Sequence, residues 1–270
     1  MMLLSVDHVT RYRYDRPVRG VVQSHRLTPS RFDGQKVVDW QVTVSGGDMG
    51  GGFRDGAGDW VQGWTVAGPL TEIEVHVRGR IETHDLSGVL KGHKETVPPQ
   101  SYLRSTTPTA ADAAVRALAE VALRAATPFD GSHALATAVA EAITYCPGTT
   151  HSHTTAAEAL AQGEGVCQDH AHVLIAAARA AGVPARYVSG YLHADQDGLA
   201  HEAAHAWAEL YVEGFGWIGF DPANRCCPDE RYIRLGSGLD AAYAAPIRGT
   251  SRGGGTESLD VTVAVQMAEQ

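Results

Sequence analysis

An abrupt change of hydrophobic period near Pro98-Pro99 restricts this chain to a fold with separate strand and helix regions. Before it, the segments LLSVDHVTRYRY, VVQSHRL, KVVDWQVTV, DWVQGWTV and LTEIEVHVRGRIE are rich in Val, Ile, Thr, Tyr and Trp, and several alternate apolar with polar residues. In the last of these, Ile73, Val75 and Val77 share one face, while Glu72, Glu74, His76 and Arg78 share the other. Gly50-Gly51-Gly52 and Asp55-Gly56-Ala57-Gly58 read as turns between strands. Five such segments with no intervening helix predict an antiparallel sheet or small sandwich, so residues 1–97 form one β-sandwich-like domain in this reading.

Beyond the Pro-Pro step the period becomes three to four. Thr107-Pro108 is expected to open a helix carrying Val115, Leu118, Ala122 and Ala125 on one face. A second is expected from about Ser132, with Leu135, Val139, Ala142 and Ile143 together. Thr155-Ala156-Ala157-Glu158 has the capping-box pattern of a third. A fourth starts near Cys167, runs through HAHVLIAAARAA and stops at Gly182, with Pro184 two residues on. Strands then return at 185–192, 205–212, 216–221 and 259–266, the last placed with the core sheet; residues 226–258 give no element. The class is α+β, with residues 98–270 forming a core of helices packed on an antiparallel sheet.

Composition excludes several alternatives. With 44% hydrophobic and 20% charged residues the chain is not disordered, collagenous or coiled-coil. No apolar run approaches the ~20 residues of a membrane span. The opening MMLLSVDHVTRYRY lacks the pattern of a secretory signal, so a cytoplasmic address is expected. The whole net charge of −9 lies beyond residue 97, and an acidic domain repels phosphate backbones, so neither nucleic acid nor membrane is expected as a partner. Cys146, Cys167, Cys226 and Cys227 are too few for a disulfide scaffold of this length and are read as free thiols.

Three residues stand where thiol chemistry needs them. Cys167 falls in the first turn of the fourth helix, where unpaired N–H groups and the helix dipole favour a thiolate and face any oxyanion beside the sulfur. His205 opens a strand whose hairpin mate ends at Asp221. A three-residue loop, Glu213-Gly214-Phe215, pairs Val212 with Gly216 and sets position 207 opposite 221, leaving His205 two residues further on the same face. A four-residue loop would separate the two. Trp207, Gln168 and Tyr145 are the candidates for lining the site or donating to the oxyanion. Seven of the 13 histidines lie between 151 and 205, but no C-x₂-C or H-E-x-x-H spacing occurs, and no metal or cofactor is expected.

GEGVCQDHAHVLIAAARAAGVPARYVSGYL (163–192), AHAWAELYVEGFGWIGFDPANR (204–225) and the order Cys…His…Asp resemble the transglutaminase-like superfamily, a papain-related fold. HVTRYRYDRPV (8–18), followed by RLTPS (26–30), is similar to the opening of its bacterial branch with an N-terminal β domain. GLDAAYAAPIRG (238–249) resembles the branch's closing segment, with Leu239 and Ala241 where Arg and Tyr are usual. The resemblance implies Cys167 as nucleophile, His205 as general base and acid, and Asp221 as the group orienting the imidazole. It implies acyl transfer on amide bonds of a peptide or protein substrate through a thioester. Hydrolysis, as in a cysteine protease, is the first reading. Transfer to an amine, as in a protein-glutamine transglutaminase, is the second, and a non-catalytic binding module on the same fold is the third.

Overall fold

The computed structural model describes residues 1–193 and 204–268. The N-terminal region is a single antiparallel sheet built on two long strands, β1 (Met2–His25) and β4 (Trp60–Thr83), which pair along most of their length. Two segment pairs that read as separate strands are therefore continuous. Strands β2 (Gln35–Val44) and β3 (Gly47–Arg54) pair with successive stretches of β4. Gly50-Gly51-Gly52, expected as a turn, lies inside β3, where the register slips between Met49 and Gly52. The alternation of the fourth strand holds: Ile73, Val75, Val77 and Ile81 are fully buried.

The helical block begins later than the Thr107-Pro108 signal. That signal makes a one-turn 3-10 segment closed by reciprocal Thr106 and Thr109 contacts. The first α-helix, α1 (Ala113–Leu123), is capped instead by Asp112, whose carboxylate accepts the Val115 N–H at 2.8 Å. Helix α2 (Pro128–Ala142) starts before Ser132 because Thr127 caps it and Pro128 occupies its first turn. Two short parallel strands, β5 (Thr144–Tyr145) and β6 (Glu164–Gly165), flank α3 (Ala156–Gln162), which has the Thr155/Glu158 capping box. Helix α4 (Cys167–Ala180) follows at once. His151 and His153 lie in the loop before α3 rather than on a strand.

The core sheet is antiparallel, in the order β10 (Tyr232–Gly238), β7 (Ala185–Leu192), β8 (Ala204–Val212), β9 (Gly216–Phe220). One face, with Ala206, Ala208 and Leu210, packs on the alanine-rich flank of α4. At the β7–β10 side of this same face, Tyr191 and its cross-strand partner Ile233 meet Leu4, Val6 and Val75 of the N-terminal sheet, with Leu235 at the register shift of β10. The other face carries Arg186, Trp207, Glu209 and Arg234. There the two buried arginines, Arg186 and Arg234, meet Glu209 and, from segments flanking β4, Asp59 and Glu95.

One expectation is corrected by the topology. Strands β11 (Ile247–Arg252) and β12 (Glu257–Met267) leave the core and pair antiparallel with β1, on the edge that β4 does not cover. The 259–266 strand, and with it the tail assigned to the core beyond residue 97, belongs by hydrogen bonding to the N-terminal sheet. A 24-residue strand with one bare edge exposes a row of unpaired amides, and the returning tail satisfies them. No helix among the described residues is long and apolar enough to cross a membrane.

Candidate active site

Cys167 is the first residue of α4, so its N–H has no partner within the helix. The turn is held by Asp169, whose carboxylate accepts the Val166 N–H at 2.8 Å and the Thr150 hydroxyl at 2.6 Å. The sulfur is half-buried at the border of the helical core and close enough to His205 to raise the pKa of its ring.

The hairpin register delivers the second contact. Val212 pairs with Gly216 and Ala208 with Phe220, the three-residue loop that the same-face arrangement requires. Gly214 and Gly216, at φ of +85° and +84°, adopt the left-handed conformation that this tight reversal needs. His205 Nε2 then donates to Asp221 Oδ2 at 2.6 Å, across 16 residues of sequence. With Nε2 engaged, Nδ1 is the ring nitrogen left for Cys167. The structure therefore brings Cys167, His205 and Asp221 into one line of contacts.

Two further residues complete this line, and neither stood out in the sequence. Asn224 Nδ2 and the Tyr232 hydroxyl both donate to Asp221 Oδ2, at 2.7 and 2.8 Å. The Cys226 thiol in turn donates to the Tyr232 oxygen at 3.2 Å. Asn224 sits three residues after Asp221 in a turn closed by paired backbone bonds between Asp221 and Cys226; the Asp-Pro-Ala-Asn spacing was its one sequence signal. Tyr232 opens β10, inside the stretch that carried no period.

The aromatic wall behind His205 consists of Trp207 and Tyr232. The Trp207 ring lies 6.3 Å from that of His205 at an interplanar angle of 27°, and Tyr232 meets it edge-on at 5.9 Å. Trp207 is buried, and Gly190 makes room for it: a Cβ at that position would lie 2.6 Å from the indole. Gln168 directs its amide toward the Ser152 carbonyl at 3.4 Å. Tyr145 lies on β5, next to the strand that leads into Cys167.

Burial opposes a charged His205, but hydrogen bonds and charge from Asp221 and Cys167 outweigh it and lift its pKa to about 10. Burial likewise opposes the Asp221 carboxylate, yet His205, Asn224 and Tyr232 hold its pKa below the ordinary value. A histidine whose folded pKa exceeds its unfolded value of about 6.5 contributes stability that is complete below pH 6.5 and lost as pH rises through about 10. Urea unfolding of the wild type should therefore weaken between these pH values. Asp221→Asn should bring the His205 NMR titration down toward 6.5 and flatten that slope. An unchanged His205 titration in the variant would show that Asp221 does not govern the imidazole.

Residues 116–222 match the model of the transglutaminase-like superfamily, and residues 4–82 that of the bacterial transglutaminase-like N-terminal region. An uncharacterized protein of Mycobacterium leprae is 30% identical over 283 residues, spanning 98% of this chain and 99% of its own. The chain belongs to the transglutaminase-like superfamily. Within it, a protein-glutamine gamma-glutamyltransferase of Pseudomonas aeruginosa is 38% identical over 72 residues, 24% of this chain but 10% of that protein. The crystal structure of a "putative cysteine protease" from Cytophaga hutchinsonii shares the transglutaminase-like fold with a TM-score of 0.77. At 22% identity the match covers 100% of this chain and 91% of that one. Among the described residues, no group of three or more His, Cys, Asp or Glu side chains is arranged to hold a metal ion. His201, one of the clustered histidines, lies outside the described residues.

Proposed function

We propose that this protein is a thiol-dependent acyl-transfer enzyme acting on amide bonds of a peptide or protein substrate. The observation that carries the reading is the placement of Cys167 beside His205, whose Nε2 meets a buried, triply bonded Asp221 carboxylate. In this mechanism the sulfur, as thiolate, attacks the amide carbonyl carbon. The oxyanion that forms is met by the free N–H at the start of α4. His205 gives its Nδ1 proton to the leaving nitrogen as the C–N bond breaks, leaving a thioester on Cys167 and a neutral imidazole. The imidazole then removes a proton from the incoming nucleophile, which attacks the thioester. The product departs as the C–S bond breaks, restoring thiolate and imidazolium.

With water as the nucleophile the product is a carboxylic acid, and hydrolysis is the first reading because water needs no subsite of its own. The likeness to a gamma-glutamyltransferase favours a second reading, in which a primary amine resolves the same thioester. A panel of amide and ester substrates, assayed with and without added primary amine, separates the two. Hydrolysis predicts acid product at a rate that added amine does not change. Amine transfer predicts an amide adduct that grows with amine concentration. Equal labelling of all four thiols by iodoacetamide, together with no turnover of any substrate, would favour a non-catalytic binding module.

A further inference from the structure

We propose that the concave face of the N-terminal sheet docks an extended, acidic peptide segment. The face is a groove of about 830 Å³, within the size range of ligand-holding clefts. It is bounded by β2 on one side and by the β3–β4 hairpin on the other, with Trp40, Trp60 and Trp64 among its walls.

Four observations define the occupant. First, Arg31 and Arg54 line the groove, both exposed, and among the described residues neither has a carboxylate within ion-pairing distance. Arg54 donates only to the Gly58 carbonyl, at 2.8 Å, and lies 5.8 Å from the Trp60 ring centre. Burial and then the charge of Arg31 depress its pKa, and the opposing charge of Asp59, itself paired with Arg234, does not offset them. The other charged residues of the groove are already paired, Lys36 with Glu82 and Asp39 with Arg80. An anionic side chain between the arginines removes this repulsion.

Second, two buried polar atoms in groove-lining residues have no partner: Trp64 Nε1, a donor, and His25 Nδ1. His25 Nε2 donates to Gln23 Oε1 at 2.9 Å, and burial pushes its pKa down to about 4, so Nδ1 is a bare acceptor. The two rings stack with centres 6.1 Å apart. Adjacent donor and acceptor atoms match the C=O and N–H of a peptide backbone.

Third, beyond the bridge between Phe32 and Gln35 the outer edge of β2 pairs with no strand among the described residues, and residues 35–42 line the groove consecutively. Such an edge offers amides at strand spacing, which an extended peptide matches and a sugar chain does not. Fourth, Val37 and Val38 expose 41% and 45% of their surface beside this edge, apolar area suited to the alternate side chains of a bound strand. The net charge of −9 opposes a long polyanion, whose charge runs well beyond two guanidiniums.

The test uses the full chain and a fluorescein-labelled peptide of alternating Glu and Val, with an alternating Lys and Val peptide beside it. Saturable binding of the Glu peptide, at least about tenfold tighter than the Lys peptide, is expected. The double variant Arg31→Glu/Arg54→Glu should lose about tenfold or more, and Trp64→Phe, which keeps the ring but removes the N–H, should weaken binding severalfold. Binding should be unchanged in Cys167→Ala, since the groove does not rest on the catalytic reading. Equal affinity for both peptides, no saturable binding, or tighter binding of polygalacturonate or an oligonucleotide would overturn the proposal.

Discussion

Alanine at position 167 is expected to eliminate turnover, by about 10⁴-fold or more, while leaving the protein folded. Both halves of this expectation follow from where the sulfur sits. It is half-buried at the rim of the helical core, so its loss removes little packing and leaves no sealed cavity. The helix start does not depend on it, because Asp169 holds the Val166 N–H. Circular dichroism and the urea midpoint should therefore match the wild type to within about 1 kcal/mol. The chemistry has no substitute, because the other thiols lack its surroundings. Burial pushes Cys227 up to about 11, and Cys226 is likewise raised by burial, with Asp221 and Asp229 adding to it. Iodoacetamide should label Cys167 ahead of both, and labelling should track loss of activity one for one. Turnover by the alanine variant at the wild-type rate would end the acyl-transfer reading, as would equal labelling of all the thiols.

The parts of the fold legible in the sequence were those set by local rules. The Thr155 capping box, the stop at Gly182-Val183-Pro184 and the buried stripe Ile73, Val75, Val77 each depend on a few neighbouring residues, and each is where the pattern put it. The misplaced elements depend on distant partners. Thr107-Pro108 makes a good start signal, but the buried Arg179 holds Thr109 by its hydroxyl and Tyr102 by its carbonyl, 70 and 77 residues away. The linker there is tied down in a 3-10 turn before α1 can begin. The alternation of 259–266 identified a strand but not its sheet, because pairing with β1 is decided by an edge more than 240 residues earlier. Leu259 and Val261 are accordingly exposed, and only Val265 of that face is buried.

The candidate site divides in the same way. Cys167, His205 and Asp221 were legible because a helix start and a three-residue hairpin are short-range geometry. Asn224 and Tyr232 were not, because their meaning lies in a carboxylate oxygen that accepts three donors at once, and a hydrogen bond across a turn leaves no period in a sequence. The buried charges are the extreme case. Nothing local in the sequence marks Arg186, Glu209 and Arg234 as buried, because their partners Asp59 and Glu95 come from a different part of the chain.

That network sets the largest stability effect expected of a single substitution away from the active site. Arg234 donates to Glu209 at 2.8 Å through Nε, and through Nη1 to Asp59 at 2.7 Å and Ser30 at 2.6 Å. All three charged side chains are 3% exposed or less. Methionine in its place removes the cation, takes from buried Asp59 its ion-pair partner and leaves Glu209 on Arg186 alone. Breaking a buried pair in this way costs about 3–5 kcal/mol, because the Asp59 charge is then left with only hydroxyl and amide donors from Ser30 and Ser237. The surface pair Arg13–Glu72, with both side chains about half exposed, should cost less than about 1 kcal/mol when Arg13 is removed. The pH dependence follows from Glu209. Burial alone would raise its pKa, but Arg234 and then Arg186 hold it at about 2, below its unfolded value of about 4.5. The stability it contributes is present above pH 4.5 and lost as pH falls toward 2. In Arg234→Met the folded pKa of Glu209 moves back up, so that part of the acid sensitivity should shrink while the neutral-pH urea midpoint drops at constant slope. A loss under about 1 kcal/mol at pH 7 would mean that water reaches these charges.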